Sequence, residues 1–257
     1  MNAPGPIDCL AYCGPYTRRP VGVEPPGLAA LLSPLGVQRV YAGRLEALWF
    51  ENPHDANRLA ESAPKAAGPT EVVAVPTLDP TLPSWKDELD RLTGRGPVPM
   101  VRLYPGYHRY ALDEADPLLA ELAKRKIVAQ VVVRIDDTRR QHPLARVADV
   151  PAAQVRDVAT RHPSLKVLLS GSTAPSIPAL ARSLPASNNL WVDTAHADGV
   201  GTVQDLMSTP LRDRLVLGSN APLFIPEAAF ARVVLDLSDA DADKVLRENA
   251  RGLFREA

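Results

Sequence analysis

Short runs of apolar, β-branched residues alternate along the chain with longer stretches whose apolar positions recur every three or four residues. The short runs predict eight strands, over Ile7–Tyr12, Val37–Leu45, Thr70–Leu78, Val98–Tyr104, Ile127–Arg134, Leu165–Ser170, Asn189–Asp193 and Arg214–Gly218. The longer stretches predict helices, among them Asp113–Lys124, Pro151–Arg161 and Pro226–Leu235. Several open with proline or an acidic residue, as first turns favour. Ser238–Phe254 predicts a long closing helix, with Ser238 as N-cap and Asp239, Asp241 and Asp243 near its positive end.

Strand–helix alternation means parallel βαβ units. Eight of them in 257 residues, with no linker or break in composition, fit a (β/α)8 TIM-type barrel, one domain over residues 1–257. An open doubly wound sheet is the alternative. The turn after Tyr12, Cys-Gly-Pro-Tyr, lacks its glycine-rich fingerprint.

Composition narrows the function classes. With 46% hydrophobic residues the chain can bury a large core, and its 26 prolines are spread as punctuation between short elements. A net charge of −1 argues against nucleic acid or an anionic membrane surface as the main partner. No apolar run approaches the ~20 residues that span a bilayer, and the N-terminus carries no secretory pattern, so a soluble, cytoplasmic protein is expected. Two cysteines, Cys9 and Cys13, make neither a disulfide framework nor a four-cysteine zinc site.

A barrel of this kind carries its chemistry at the carboxyl ends of the strands. Alternation along the first strand places Asp8, Leu10 and Tyr12 inside and both cysteines toward the helices. The same rule turns Arg102 and Tyr104 inward on the fourth strand, and Gln130, Val132 and Arg134 on the fifth. Asp193 ends the seventh strand and Asn220 follows the eighth. A structural reading, in which these charges pair and close the top of the core, stands beside the functional one. The loops add Tyr104-Pro-Gly-Tyr-His108-Arg-Tyr110 and Asp136-Asp-Thr-Arg139-Arg-Gln-His142-Pro143, which bring two of the five histidines to the expected active face. His196 is a lesser candidate there.

Three stretches resemble the amidohydrolase superfamily, in its family 2 branch of decarboxylases and lactonases. Ile7-Asp-Cys-Leu-Ala-Tyr-Cys-Gly14 stands where that family writes Ile-Asp-x-His-x-His-x-Gly. Asp213-Arg-Leu-Val-Leu-Gly-Ser-Asn-Ala-Pro222 is similar to its Asp-Arg-Ile-Leu-Phe-Gly-Ser-Asp-x-Pro, and Glu248-Asn-Ala-Arg-Gly-Leu-Phe254 to its closing helix. The resemblance implies a metal centre whose ligands would fall at Leu10, Tyr12, within Val132–Arg134, near Ser170 and at Asn220. None of these carries an imidazole or a carboxylate, so no metal or other cofactor is expected.

The residues that remain still allow chemistry. His108 and His142, with Asp136 as partner, are the candidate acid–base groups, and Arg134 and Arg139 the candidate anchors for negative charge. Tyr12, Tyr104, Arg102, Asp193 and Asn220 complete the candidate substrate site. The expectation is a metal-independent hydrolase or lyase acting on a small carboxylate-bearing substrate. A small-molecule-binding pseudoenzyme of the same fold is the alternative. Members of the family often self-associate, but no surface in the sequence identifies an interface.

Overall fold

The computed structural model describes residues 5–184 and 188–254. All eight expected strands form, β1 one residue longer than its apolar run and the others shorter: β1 (Ile7–Cys13), β2 (Arg39–Arg44), β3 (Glu71–Ala74), β4 (Met100–Leu103), β5 (Val128–Val132), β6 (Val167–Ser170), β7 (Leu190–Asp193) and β8 (Leu215–Val216). They run parallel in the orders β1-β2-β3 and β4-β5-β6-β7-β8. Backbone bonds close the two seams. Arg102 N–H reaches Pro76 O at 2.8 Å between β3 and β4, and Cys9 N–H reaches Leu217 O at 2.9 Å between β8 and β1. The result is the expected TIM-type barrel.

Helices α1 (Pro25–Leu32), α2 (Asp55–Ser62), α3 (Trp85–Arg95), α4 (Pro105–His108), α5 (Asp116–Arg125) and α6 (Ala152–Arg161) follow in turn. After them come α7 (Ser176–Ala181), α8 (Thr202–Met207) and α9 (Pro226–Val234). In α5 the spacing of Leu118, Leu119 and Leu122 buries one face against the barrel, and Lys124 and Arg125 occupy the negative end. The closing helix begins as expected, with the Ser238 hydroxyl accepting from Asp241 N–H. It is not uniform, however. Between α10 (Asp239–Asp243) and α11 (Asn249–Phe254) lies a π-helical turn over Lys244–Glu248. There the carbonyl of Val245 accepts from Leu217 N–H at 3.0 Å, so the barrel wall takes one acceptor of the helix. Asn249 shows why this helix carries an amide: its Nδ2 donates to Arg212 O at 2.9 Å and Leu215 O at 2.8 Å, which ties the helix to β8.

Inside the barrel, Cys9, Tyr41, Met100, Val128, Leu168 and Val216 form an apolar floor, closed from below by Ala250 and Leu253. Tyr41 stacks on Phe254 at 4.1 Å. This corrects the expected placing of the cysteines. Cys13 faces the helix layer with Leu28 and Leu32, whereas Cys9 lies in the floor. The cause is an irregularity in the β1–β2 register between Asp8 and Ala11, which reverses the alternation part-way along the strand. Asp8 therefore fills the β1–β8 seam, accepting from Leu10 N–H at 3.1 Å, from Ser219 N–H at 3.0 Å and from the Ser219 hydroxyl.

Candidate active site

Above the floor the barrel interior turns polar. Arg102, Gln130, Ser170 and Asp193 occupy inward positions on β4 to β7, and all four are wholly buried. Arg102 Nε donates to Gln130 Oε1 at 2.6 Å, and Gln130 Nε2 donates to Ser170 Oγ at 2.8 Å. The Ser170 hydroxyl acts in turn on the Asp193 carboxylate, which also accepts from Ala195 N–H at 3.0 Å and Gly171 N–H at 3.4 Å. A guanidinium and a carboxylate are thus linked through two neutral side chains across four consecutive strands. Burial dominates and raises the Asp193 carboxyl to about 6 against the pull of these donors, and raises Asp8 to about 6 in the same way.

Among the described residues no carboxylate pairs with Arg102. It also donates to Ala11 O at 3.0 Å and Tyr41 O at 3.3 Å, and its guanidinium lies 4.9 Å from the centre of the Tyr12 ring. Gly43 makes room for it, since a Cβ there would stand 2.6 Å from Arg102 Nη1. Over this layer sit Tyr12, Tyr104 and Asn220, all fully buried. Tyr16 joins the apolar cluster at the mouth, its hydroxyl donating to Asp136 Oδ2 at 3.2 Å, and Tyr107 packs against that cluster.

The structure thus brings Arg102, Tyr12, Tyr104, Asp193 and Asn220 together and sets Asp136 at their rim. It does not bring the other expected residues into the same space. Arg134 is held by Asp149 at 3.1 Å and Asp137 at 3.5 Å. Arg139 has an 88% exposed side chain paired with Asp137 at 2.6 Å, so a neighbour two residues away takes its charge. His142 is exposed, and its Nδ1 accepts from Leu144 N–H at 3.2 Å. The side chain of His108 is buried, with one ring nitrogen 2.8 Å from Ala47 O and the other 3.9 Å from Asp79 Oδ2. Its acid neighbour is therefore Asp79, not Asp136. Burial holds His108 and His196 neutral by lowering both, His196 to about 4.

These placements set a first expectation. His142→Ala should melt within about 1 °C of the wild type, as an exposed substitution does. His108→Ala should cost about 2 kcal/mol, because it removes a buried ring and the partner of Ala47 O. Thermal and urea unfolding of both variants would check it, and equal stabilities would contradict the burial argument.

Sequence reasoning placed Gln130 inward with Arg102, as the structure has it, but missed Ser170 as a member of the polar layer, although its inward parity was legible. Tyr16 and Asp79 carried no signal, because their positions depend on how loops fold back.

The side chains at the implied metal positions do not fit a divalent ion. Leu10 has no donor, Tyr12 is a phenol held well above its ordinary pKa by burial, and Ser170 and Asn220 are neutral. Among the described residues no three His, Cys, Asp or Glu side chains converge as a metal site.

The Amidohydrolase family profile matches residues 19–255. The chain belongs to the amidohydrolase family. Its structure is similar to 2,6-dihydroxybenzoate decarboxylase from Rhizobium, with 16% identity, 98% and 99% of the two chains covered and a TM-score of 0.66. It is similar to 5-carboxyvanillate decarboxylase from Sphingomonas paucimobilis, with 13% identity, 99% and 100% coverage and a TM-score of 0.72. A probable 2-pyrone-4,6-dicarboxylic acid hydrolase from Acinetobacter baumannii, solved with citric acid bound, shares 12% identity over 98% and 100% of the chains at a TM-score of 0.66. At such identities the likeness establishes the fold. No curated protein matches the sequence. Among the described residues no helix is long and apolar enough to cross a membrane.

Proposed function

We propose that this member of the family is a metal-independent enzyme of hydrolase or lyase type, acting on a small organic anion at the carboxyl end of its barrel. One observation carries the reading: a permanent cation, Arg102, and an acid–base group, Asp193, share one buried polar layer. Without a metal ion, such chemistry needs positive charge near the developing anion and a group that exchanges a proton near working pH. A guanidinium keeps its charge, and a carboxyl raised to about 6 is tuned for proton exchange. Asp136 at the rim, with Tyr104 and Tyr107, would orient the substrate. The named substrates of the solved relatives, all small ring carboxylates, agree in size and charge.

A second reading, binding without turnover, draws on the full burial of Tyr12, Tyr104 and Asn220 and on the outward position of His142. The two separate in one experiment. Chelator-treated protein is incubated with hydroxybenzoates and pyrone carboxylates while carbon dioxide release and ring opening are followed. Turnover is expected in the wild type, with a loss of roughly a hundredfold or more in Asp193→Asn. Thermal stabilisation by these compounds without turnover would select the binding reading. Turnover that appears only on adding zinc or manganese would overturn metal independence.

A further inference from the structure

Among the described residues, several side chains at the barrel mouth have unused hydrogen-bonding capacity, and Tyr12 and Asn220 are two of them. Tyr12 and Asn220 are wholly buried, yet among the described residues neither the Tyr12 hydroxyl nor either end of the Asn220 amide meets a partner. Leaving a buried polar group unsatisfied costs about 1–3 kcal/mol, so such groups call for an explanation. These two are neighbours across one seam. Asn220 N–H donates to Leu10 O at 2.8 Å and Tyr12 N–H donates to Ala221 O at 2.8 Å, which fixes the register of the two positions. Asn220 also adopts a left-handed backbone, φ 57°, a conformation that costs a non-glycine residue energy and that clusters at functional sites. The local turn holds it there, with Leu223 N–H and Phe224 N–H donating to Asn220 O at 2.9 and 3.1 Å.

We propose that Tyr12 and Asn220, backed by the charge of Arg102, form an oxyanion-binding pair that takes a phenolate, enolate or carboxylate oxygen of a ligand at the barrel mouth. The proposal rests on the placing of the site at the mouth argued above. Its chemistry follows from the donors. A phenol O–H offers one hydrogen bond and an amide NH2 two. The guanidinium on the face of the Tyr12 ring polarises the phenol toward donation, and a water-poor setting strengthens every such bond. Burial holds Tyr12 well above its ordinary pKa, so it stays a protonated donor. Around it the ionisable groups whose charges act on Tyr12 are Arg102 and Tyr104 of the β4 segment, Asp193 of β7, and Tyr107. Of these Arg102 alone is a fixed charge, and it is positive.

The probe is 4-nitrophenol, whose neutral and ionised forms absorb at different wavelengths. Full-length protein is titrated with it at a pH where the free phenol is mostly neutral. Saturable growth of the phenolate band is expected, the phenolic proton passing to the buffer. Tyr12→Phe and Asn220→Gly each remove one donor, and glycine keeps the left-handed backbone. Each should weaken phenolate binding about tenfold or more, the scale of one hydrogen bond to a charged group. Circular dichroism confirms that the variants fold, and a Tyr110→Phe variant, which removes a phenol hydroxyl from the helix-layer core, serves as control, expected to bind as the wild type does. A wild type that does not bind the probe, or binds it neutral, overturns the proposal, as do variants that bind like wild type. Phenolate binding in a protein without turnover leaves the pair standing and sinks the enzyme reading. Turnover of carboxylates without phenolate binding does the reverse.

Discussion

Replacing Arg102 by alanine is expected to cost the folded chain about 4 kcal/mol in urea unfolding. The side chain is fully buried and its donors hold three strands to β4: Gln130 on β5, Ala11 O on β1 and Tyr41 O on β2. Alanine would take one donor from each of two strand carbonyls and the donor of an amide oxygen, at up to about 1–3 kcal/mol each, and open a cavity beside them. Relaxation recovers part of that sum. Arg102→Met restores most of the volume but none of the bonds, so about half of the loss should remain. Gly43→Ala reaches the same group from the other side, because its Cβ would press on Arg102 Nη1 at 2.6 Å. It should cost about 2 kcal/mol. If Arg102→Ala unfolds at the wild-type urea concentration, the polar layer is not what joins these strands.

That layer was partly legible in the chain. On β4 to β7 the alternation is unbroken, and inward parity alone places Arg102, Gln130, Ser170 and Asp193 in one space. On β1 the same rule fails, because the register shift between Asp8 and Ala11 leaves no mark on the apolar pattern of the strand. Periodicity also says from which end of the barrel a loop leaves, and says nothing of where its side chains turn. The single turn of α4 folds His108 back onto Ala47, while the proline after His142 starts a short turn that the His142 ring caps. Arg139 illustrates a second limit. A carboxylate two residues away is always within reach of a long side chain, and only coordinates tell whether it wins over a ligand. The family motifs located the fold correctly, yet their metal positions identify a place rather than a chemistry once the ligands are exchanged.

The buried acids and histidines should also give this protein two opposed pH responses. Asp193 is raised from 3.8 to about 6, so the folded chain binds its proton more tightly than the unfolded chain does. Its contribution is fully present below about pH 4 and is lost as pH rises through about 6, a swing of about 3 kcal/mol. Asp8 behaves alike. His196 is lowered from 6.5 to about 4, and its sign is opposite: stability present above about pH 6.5 is lost as pH falls through about 4, again about 3 kcal/mol. His54 and His108 are lowered too and add in the same direction. Across this window the terms offset, and the wild-type profile should be shallow. Variants separate them. Asparagine mimics the protonated acid, so Asp193→Asn should gain stability relative to wild type between pH 4.5 and 7, by about 2 kcal/mol. His196→Gln, neutral at every pH, should lose about as much over the same range. Removing the Asp193 charge also relieves Asp8, whose carboxyl it helps to raise, so the first slope should be slightly the larger. Urea unfolding of the three proteins at a series of pH values measures both slopes. Slopes of equal sign would mean that at least one of these groups is not held in the form that its burial dictates.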